Sequence, residues 1–435
     1  MNSDDWDFEG EGTVLDSIKG TVRNFILYMR GQSNLKQSFG AIFLSIITDV
    51  LAGLFLGKLE ETLLLLPGLI VLIPGAMSMR GNIFGALGSR LGSALHMKRI
   101  DGFDMKSKYV RNNVYSSITL TIFTSIALGF IARALLLMAG VTSAGVLHLV
   151  LVSFIGGFIS GMLLLVITFG IAFVAEKKKW DPDNVTSPLI TALGDFFTIP
   201  CLAFAASFIL GVPNFYIMVM SVLLMALAVI NLVIVFVSES SQDALVLREG
   251  SYKNIVLQSV IVMLFAGTLS AMSGLFLEFN LGLLLTVPII ITLIPAFLEE
   301  GGNIGNILSS RMATKLHTGQ LAAKFEIDNE IKHEIVNSYI LSLMIFPIVS
   351  LLVYVFGGVI GIGGMSLAKL MFTATIAGLI LTTIVVFVSF FVSIIAFKYK
   401  INPDNVTIPI VTGTADIIGV LTVLMVMESF GVLGV

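Results

Sequence analysis

Asp195 and Asp416 are carboxylates in stretches that carry no other charge for about twenty residues. Asp195 lies about nine residues into its stretch, roughly 13 Å along a helix rising 1.5 Å per residue. An unpaired carboxylate at that depth in hydrocarbon costs at least about 2.5–3.5 kcal/mol, so it should face a cavity or a cation. Two carboxylates brought together repel unless a cation sits between them or one is protonated. Hard, oxygen-only ligation suits Mg2+ or Ca2+, and Mg2+ keeps most of its waters and uses one or two carboxylates. The apolar stretches hold no cluster of His or Cys, which argues against zinc or copper. The structural alternative is that each Asp caps a broken helix or pairs with a buried basic residue.

Further candidates surround this pair. Thr191 and Thr412 accompany the two aspartates as metal candidates, as do Asn82 and Asn303 of two Gly-Asn segments. Those segments, with Pro74 and Pro295 ahead of them, are expected to interrupt their helices near the cytoplasmic end. Irregular backbone at membrane depth is tolerated where it lines a water-filled cavity; the alternative is a helix terminus capped by glycine. Asp49 lies in the first apolar stretch, and Glu299 and Glu300 precede the second Gly-Asn segment. These three are candidates for a secondary metal or coupling site, or the two glutamates pair with Arg80. Asp183 and Asp404 precede the Asp-bearing stretches within Pro-Asp-Asn-Val-Thr. They can draw cations to the mouth, while Asn184 or Thr186 caps the helix that follows. Arg90 and Arg311 are expected to meet lipid phosphates or acidic loops.

The elements that must position these residues are membrane helices. The chain has 435 residues, 56% hydrophobic and 12% charged, with mean hydropathy +0.99. A soluble chain carries about 25% charged residues, and apolar runs of about twenty residues cross a hydrocarbon core of about 30 Å. Helices are expected at 38–57, 62–79, 112–138, 147–175, 186–210, 214–238, 255–277, 282–300, 334–357, 366–397 and 406–430. With the amino terminus in the cytoplasm, 22 of the 25 Lys and Arg residues fall on the inside. That bias orients the chain and leaves the carboxyl terminus outside. Residues 14–36 read as an interfacial amphipathic helix or a plain linker. A single cysteine, Cys201, excludes an internal disulfide, and no signal-peptide pattern opens the chain.

The chain also repeats itself. A shift of 221 positions lays Leu72-Ile73-Pro74 over Leu293-Ile294-Pro295 and Gly81-Asn82-Ile83 over Gly302-Asn303-Ile304. The same shift lays Pro182-Asp183-Asn184-Val185-Thr186 over Pro403-Asp404-Asn405-Val406-Thr407, and Asp195 over Asp416. Each copy holds five spans, so the additional span at 214–238 keeps both copies in the same orientation. They are then related by a pseudo-two-fold axis along the membrane normal, the parallel kind of transporter repeat. The register also pairs unlike residues: Ser78 and Met79 with Glu299 and Glu300, Arg80 with Gly301, and Asp49 with Ser270.

Gly301-Gly302-Asn303-Ile304-Gly305-Asn306, followed by Ser310-Arg311 and Leu316-His317, resembles the MgtE-type magnesium transporter domain. The stretch from Asp181 to Asp195 is similar to a second signature of its two-repeat branch, which includes the eukaryotic magnesium solute carriers. The resemblance spans about residues 38–210 and 255–430. It implies a Mg2+ pathway between two five-helix copies, with Asp195 and Asp416 coordinating the ion. Single-copy bacterial members form homodimers and carry a soluble Mg2+-sensing region. Here one chain is expected to replace the dimer, acting as a monomer, and the short tail implies that no such sensor gates it. Arg80-Gly81-Asn82 departs from Gly-Gly-Asn.

The expected fold is thus an all-α integral membrane protein. It has 11 transmembrane helices as two parallel five-helix repeats, divided as tail 1–36, first repeat 37–211, linker 212–254 and second repeat 255–435. The expected function is transport of divalent cations, Mg2+ first, across the cell membrane. Partners are these cations and the lipid bilayer, not nucleic acid. Exchange against Na+ or H+ is the alternative to channel-like uptake. A remote alternative is an intramembrane aspartyl enzyme: Gly194-Asp195 fits its Gly-Asp pattern and Ala415-Asp416 does not.

Overall fold

The computed structural model describes residues 33–96, 100, 104–178, 187–238, 251–319, 321, 324–399 and 403–432. The expected amphipathic helix at 14–36 falls almost wholly outside these residues, as do Asp183, Asn184 and Thr186. Among the described residues the fold is entirely helical, without strands. The helices are α1 (Ser33–Gly57), α2 (Glu60–Leu65), α3 (Leu69–His96), α4 (Lys108–Met138), α5 (Val146–Lys177), α6 (Ser187–Leu210) and α7 (Asn214–Val237). They continue as α8 (Tyr252–Phe279), α9 (Leu281–Thr286), α10 (Pro288–His317), α11 (Asn329–Val359), α12 (Leu367–Lys398) and α13 (Pro403–Ser429).

Nine of these helices are long and apolar enough to cross a membrane, counted among the described residues. α1 and α10 are not among the nine: the apolar part found in α1 is Phe43–Gly57, and α10 carries Glu299, Glu300, Arg311 and Lys315. The apolar runs located most elements within a few residues, but two expectations need correction. The runs at 62–79 and 282–300 are each a six-residue helix followed by a break and a much longer helix. Pro67 lies in the first break and Pro288 opens α10 as its first residue, where the missing N–H has no intrahelical partner to lose. At the first break Gly68 takes φ +92°, a conformation that strains any residue with a Cβ. Its N–H donates to Glu278 Oε1 at 3.0 Å. Neither α3 nor α10 is interrupted at its Gly-Asn segment; both run through it, and Pro74 and Pro295 lie inside continuous helix.

Two close crossings set the centre of the molecule. A Cβ on Gly53 of α1 would stand 1.9 Å from the Thr292 carbonyl oxygen of α10. A Cβ on Gly274 of α8 would stand 2.7 Å from Val71 Cα of α3. Glycine alone lets these backbones approach so closely. α1 also packs on α6, and α8 on α13, so the Asp-bearing helices flank the crossings. α7 packs lightly on α4, α5 and α8, and buries Ile217, Ser221, Leu224 and Val235.

Candidate cation site

Asp195 on α6 and Asp416 on α13 line one cavity of about 40 Å³. Six helices enclose it: Leu56 comes from α1, Pro74 and Ser78 from α3, Leu277 from α8, Pro295 and Glu299 from α10, and Thr412 from α13. The two aspartates are 3% and 8% exposed and lie within electrostatic reach of each other and of Glu299. Carboxylates so placed repel unless a cation lies between them. At roughly 10–15 Å³ for each water, such a cavity holds a few waters beside the carboxylates rather than a complete hydration shell. Among the described residues no three His, Cys, Asp or Glu side chains converge closely enough to hold a bare metal ion. Mg2+ sheds water reluctantly and is commonly held by one or two carboxylates with waters in its other positions.

The surroundings of the two aspartates differ. The Ser270 hydroxyl of α8 donates to Asp416 Oδ2. Asp195 has Asp49 of α1 within electrostatic reach at the corresponding place. Asp49 is wholly buried and accepts from Ser45 at 3.1 Å. Thr412, four residues before Asp416, reaches the cavity and accepts a hydrogen bond from Asn306 Nδ2 at 3.1 Å. Asn306 was missed as a site residue; the second Asn of Gly-Gly-Asn-Ile-Gly-Asn was its only signal. Ser78 and the two prolines were also missed as lining residues, although the register had marked them.

Other candidates lie away from the cavity lining. Thr191 packs its methyl group beside Gly81. Asn82 donates to Ser78 Oγ at 3.4 Å. Asn303 stands beside Glu300 but leaves both of its carboxylate oxygens without a hydrogen bond. Asp183 lies outside the described residues, and Asp404 is placed by its backbone alone, in the first turn of α13. Because α13 begins at Pro403, Asn405 and Thr407 lie inside the helix, where the residues equivalent to Asn184 and Thr186 had been expected as caps.

Three basic residues are placed otherwise than expected. Arg80 is wholly buried and donates to Thr124 Oγ1 at 3.4 Å and to Ser125 Oγ, both on α4, so it does not pair with Glu299 or Glu300. Arg90 Nε donates to Asn113 Oδ1 at 2.7 Å, a contact within the helix bundle that the expectation did not include. Arg311 is held by Glu334 on α11 at 2.7 Å, and Lys315 reaches the same carboxylate at 3.1 Å. Among the described residues no basic nitrogen lies within 4.0 Å of Asp49, Asp195, Glu299, Glu300 or Asp416.

No solved structure matches the chain. Curated relatives do. Solute carrier family 41 member 3 of Rattus norvegicus is 24% identical over 371 residues, covering 81% of this chain and 77% of the relative. Solute carrier family 41 member 2 of Mus musculus is 24% identical over 299 residues, covering 65% of this chain and 50% of the relative. The family model MgtE, divalent cation transporter, matches residues 73–205 and again residues 294–426. The two matches are offset by 221 positions at both ends, the register that superposes Asp195 on Asp416, and together they take in more than half of the sequence: the chain belongs to the MgtE family of divalent cation transporters.

Proposed function

We propose that this transporter carries Mg2+ through the cavity between its two copies, with Asp195 and Asp416 flanking a hydrated or partly hydrated ion. The observation that carries this reading is the shared cavity: one carboxylate from each copy, and among the described residues no basic residue to neutralise either. Thr412, one turn before Asp416, supplies a hydroxyl to the hydration shell, and Thr191, Asn82 and Asn303 serve waters farther along the path. Asp183 and Asp404 gather cations at the entrance.

On this reading α1 and α10 also span the bilayer, giving eleven spans. Two parallel five-helix copies meet about a pseudo-two-fold axis, with the amino terminus in the cytoplasm and the carboxyl terminus outside. The Gly53–Thr292 and Gly274–Val71 crossings support it, since each is the other shifted by 221 positions. One chain then does the work of a dimer. The family is one of transporters, which removes the intramembrane enzyme as an alternative.

The test uses purified chain in liposomes loaded with a Mg2+ indicator. Asp195→Ala with Asp416→Ala should lower uptake at least a hundredfold, to the level of empty liposomes. Unchanged flux would overturn the assignment. Running the assay with and without Na+ and H+ gradients separates channel-like uptake from exchange, because an exchanger needs the counter-gradient.

A further inference from the structure

Asp49 and Glu300 are each 0% exposed. Among the described residues no donor stands in good hydrogen-bond geometry to Asp49 Oδ1 or to either Glu300 oxygen, with the Asn303 amide nearest Glu300, and Asp49 Oδ2 accepts from Ser45. The packing of α1 on α10 and on α6 brings Asp49 within electrostatic reach of Glu299, Asp195 and Glu300, so these acids adjoin the Asp195–Asp416 pair. Arg80, the basic residue that could have balanced these charges, turns its Nη1 and Nη2 to Thr124 and Ser125 instead.

The fold does not need acids at these places. In the 221-residue register Asp49 corresponds to Ser270 and Glu300 to Met79. Ser270 donates a hydrogen bond, and Met79 packs against Gly267 of α8. The same architecture is therefore built once with neutral residues and once with two buried carboxylates. An uncompensated buried carboxylate costs several kcal/mol, and two facing each other also repel. A bound cation removes both penalties, and the paired negative charge matches a divalent one.

We propose that Asp49 and Glu300 form a second divalent-cation seat, distinct from the Asp195–Asp416 pair and present on one side of the molecule only. The proposal rests on the cation-transport reading above. Glu299 reaches Asp416 as well as Asp49 and Glu300, so it links the two seats. Ser45, backbone carbonyls and water complete the coordination, because the carboxylates alone are too few.

Isothermal titration of Mg2+ into the full chain in detergent tests this. Asp49→Ser with Glu300→Met installs the residues that the first copy already accommodates, so the variant should fold. It should bind one Mg2+ fewer than the wild type, while Asp416→Asn keeps that equivalent. Glu300→Gln, nearly isosteric, should weaken one site at least tenfold and serves if the double variant does not fold. Titrations of Asp49→Ser/Glu300→Met or of Glu300→Gln that match the wild type overturn the proposal. Loss of 22Na+ binding with an unchanged Mg2+ count overturns the divalent assignment. Failure of the transport reading is seen separately, as wild-type flux and Mg2+ affinity in Asp416→Asn.

Discussion

Arg80 and Gly301 occupy one position of the repeat, yet their surroundings solve the packing in opposite ways. Around Arg80 stand Thr124, Ser125 and Gly157, and a Cβ on Gly157 would come 2.2 Å from the guanidinium. Around Gly301 the same positions hold Ile345, Phe346 and Gly378, with the Phe346 ring against Gly378 and Leu381 filling the space beside Gly301. One side buries a charge held by hydroxyls; the other packs hydrocarbon. Arg80→Gly alone should leave a void and cost about 2–5 kcal/mol. Adding Ser125→Phe and Ser160→Leu, which copies the second half, should recover at least half of that. Thermal unfolding in detergent reads both values, and a triple variant no more stable than Arg80→Gly rejects the equivalence.

The central helices depend on glycine at their crossings more than on any side chain. Gly53→Ala would drive a methyl group into the Thr292 carbonyl at 1.9 Å, whereas Gly274→Ala meets Val71 Cα at 2.7 Å. Overpacking of this kind costs about 1–3 kcal/mol or more, so both should destabilise, Gly53→Ala the more. Gly170→Ala on α5 meets nothing within 4 Å and should instead stabilise by up to about 1 kcal/mol through helix propensity. Equal effects at all three positions, measured by thermal unfolding, would show that the crossings are not tight. Hydropathy could locate the helices here, because lipid-facing and core-facing residues are both apolar. It could not see the continuity of α3 and α10. Pro74, Pro295 and the Gly-Asn segments read as breaks, yet packing on neighbouring helices holds the backbone helical through them. The aspartates were legible as charges in apolar runs. The Asn306–Thr412 bond and the Arg80 nest were not, because they depend on which helix faces which.

At the scale of the whole molecule the two halves are interleaved: α1 packs on α10 and α3 on α8. If the chain is divided within 239–250, a tagged first piece should copurify the second, and liposomes holding both should recover Mg2+ uptake. Either piece alone should give at least tenfold less. Uptake by one piece alone would contradict a pathway shared between copies. The asymmetry between Asp49 and Ser270, or Glu300 and Met79, becomes possible only once both copies sit in one chain, since a homodimer would carry every acid twice.

α7 stands apart, with most of its side chains turned outward and little contact beyond α4, α5 and α8. Its surroundings reward transfer from water to hydrocarbon and are nearly indifferent to which apolar side chain provides it. A substitution there should therefore be tolerated while it stays apolar and become costly once it brings a charge into hydrocarbon. The two family matches leave 206–293 unmatched, and α7 lies inside that interval.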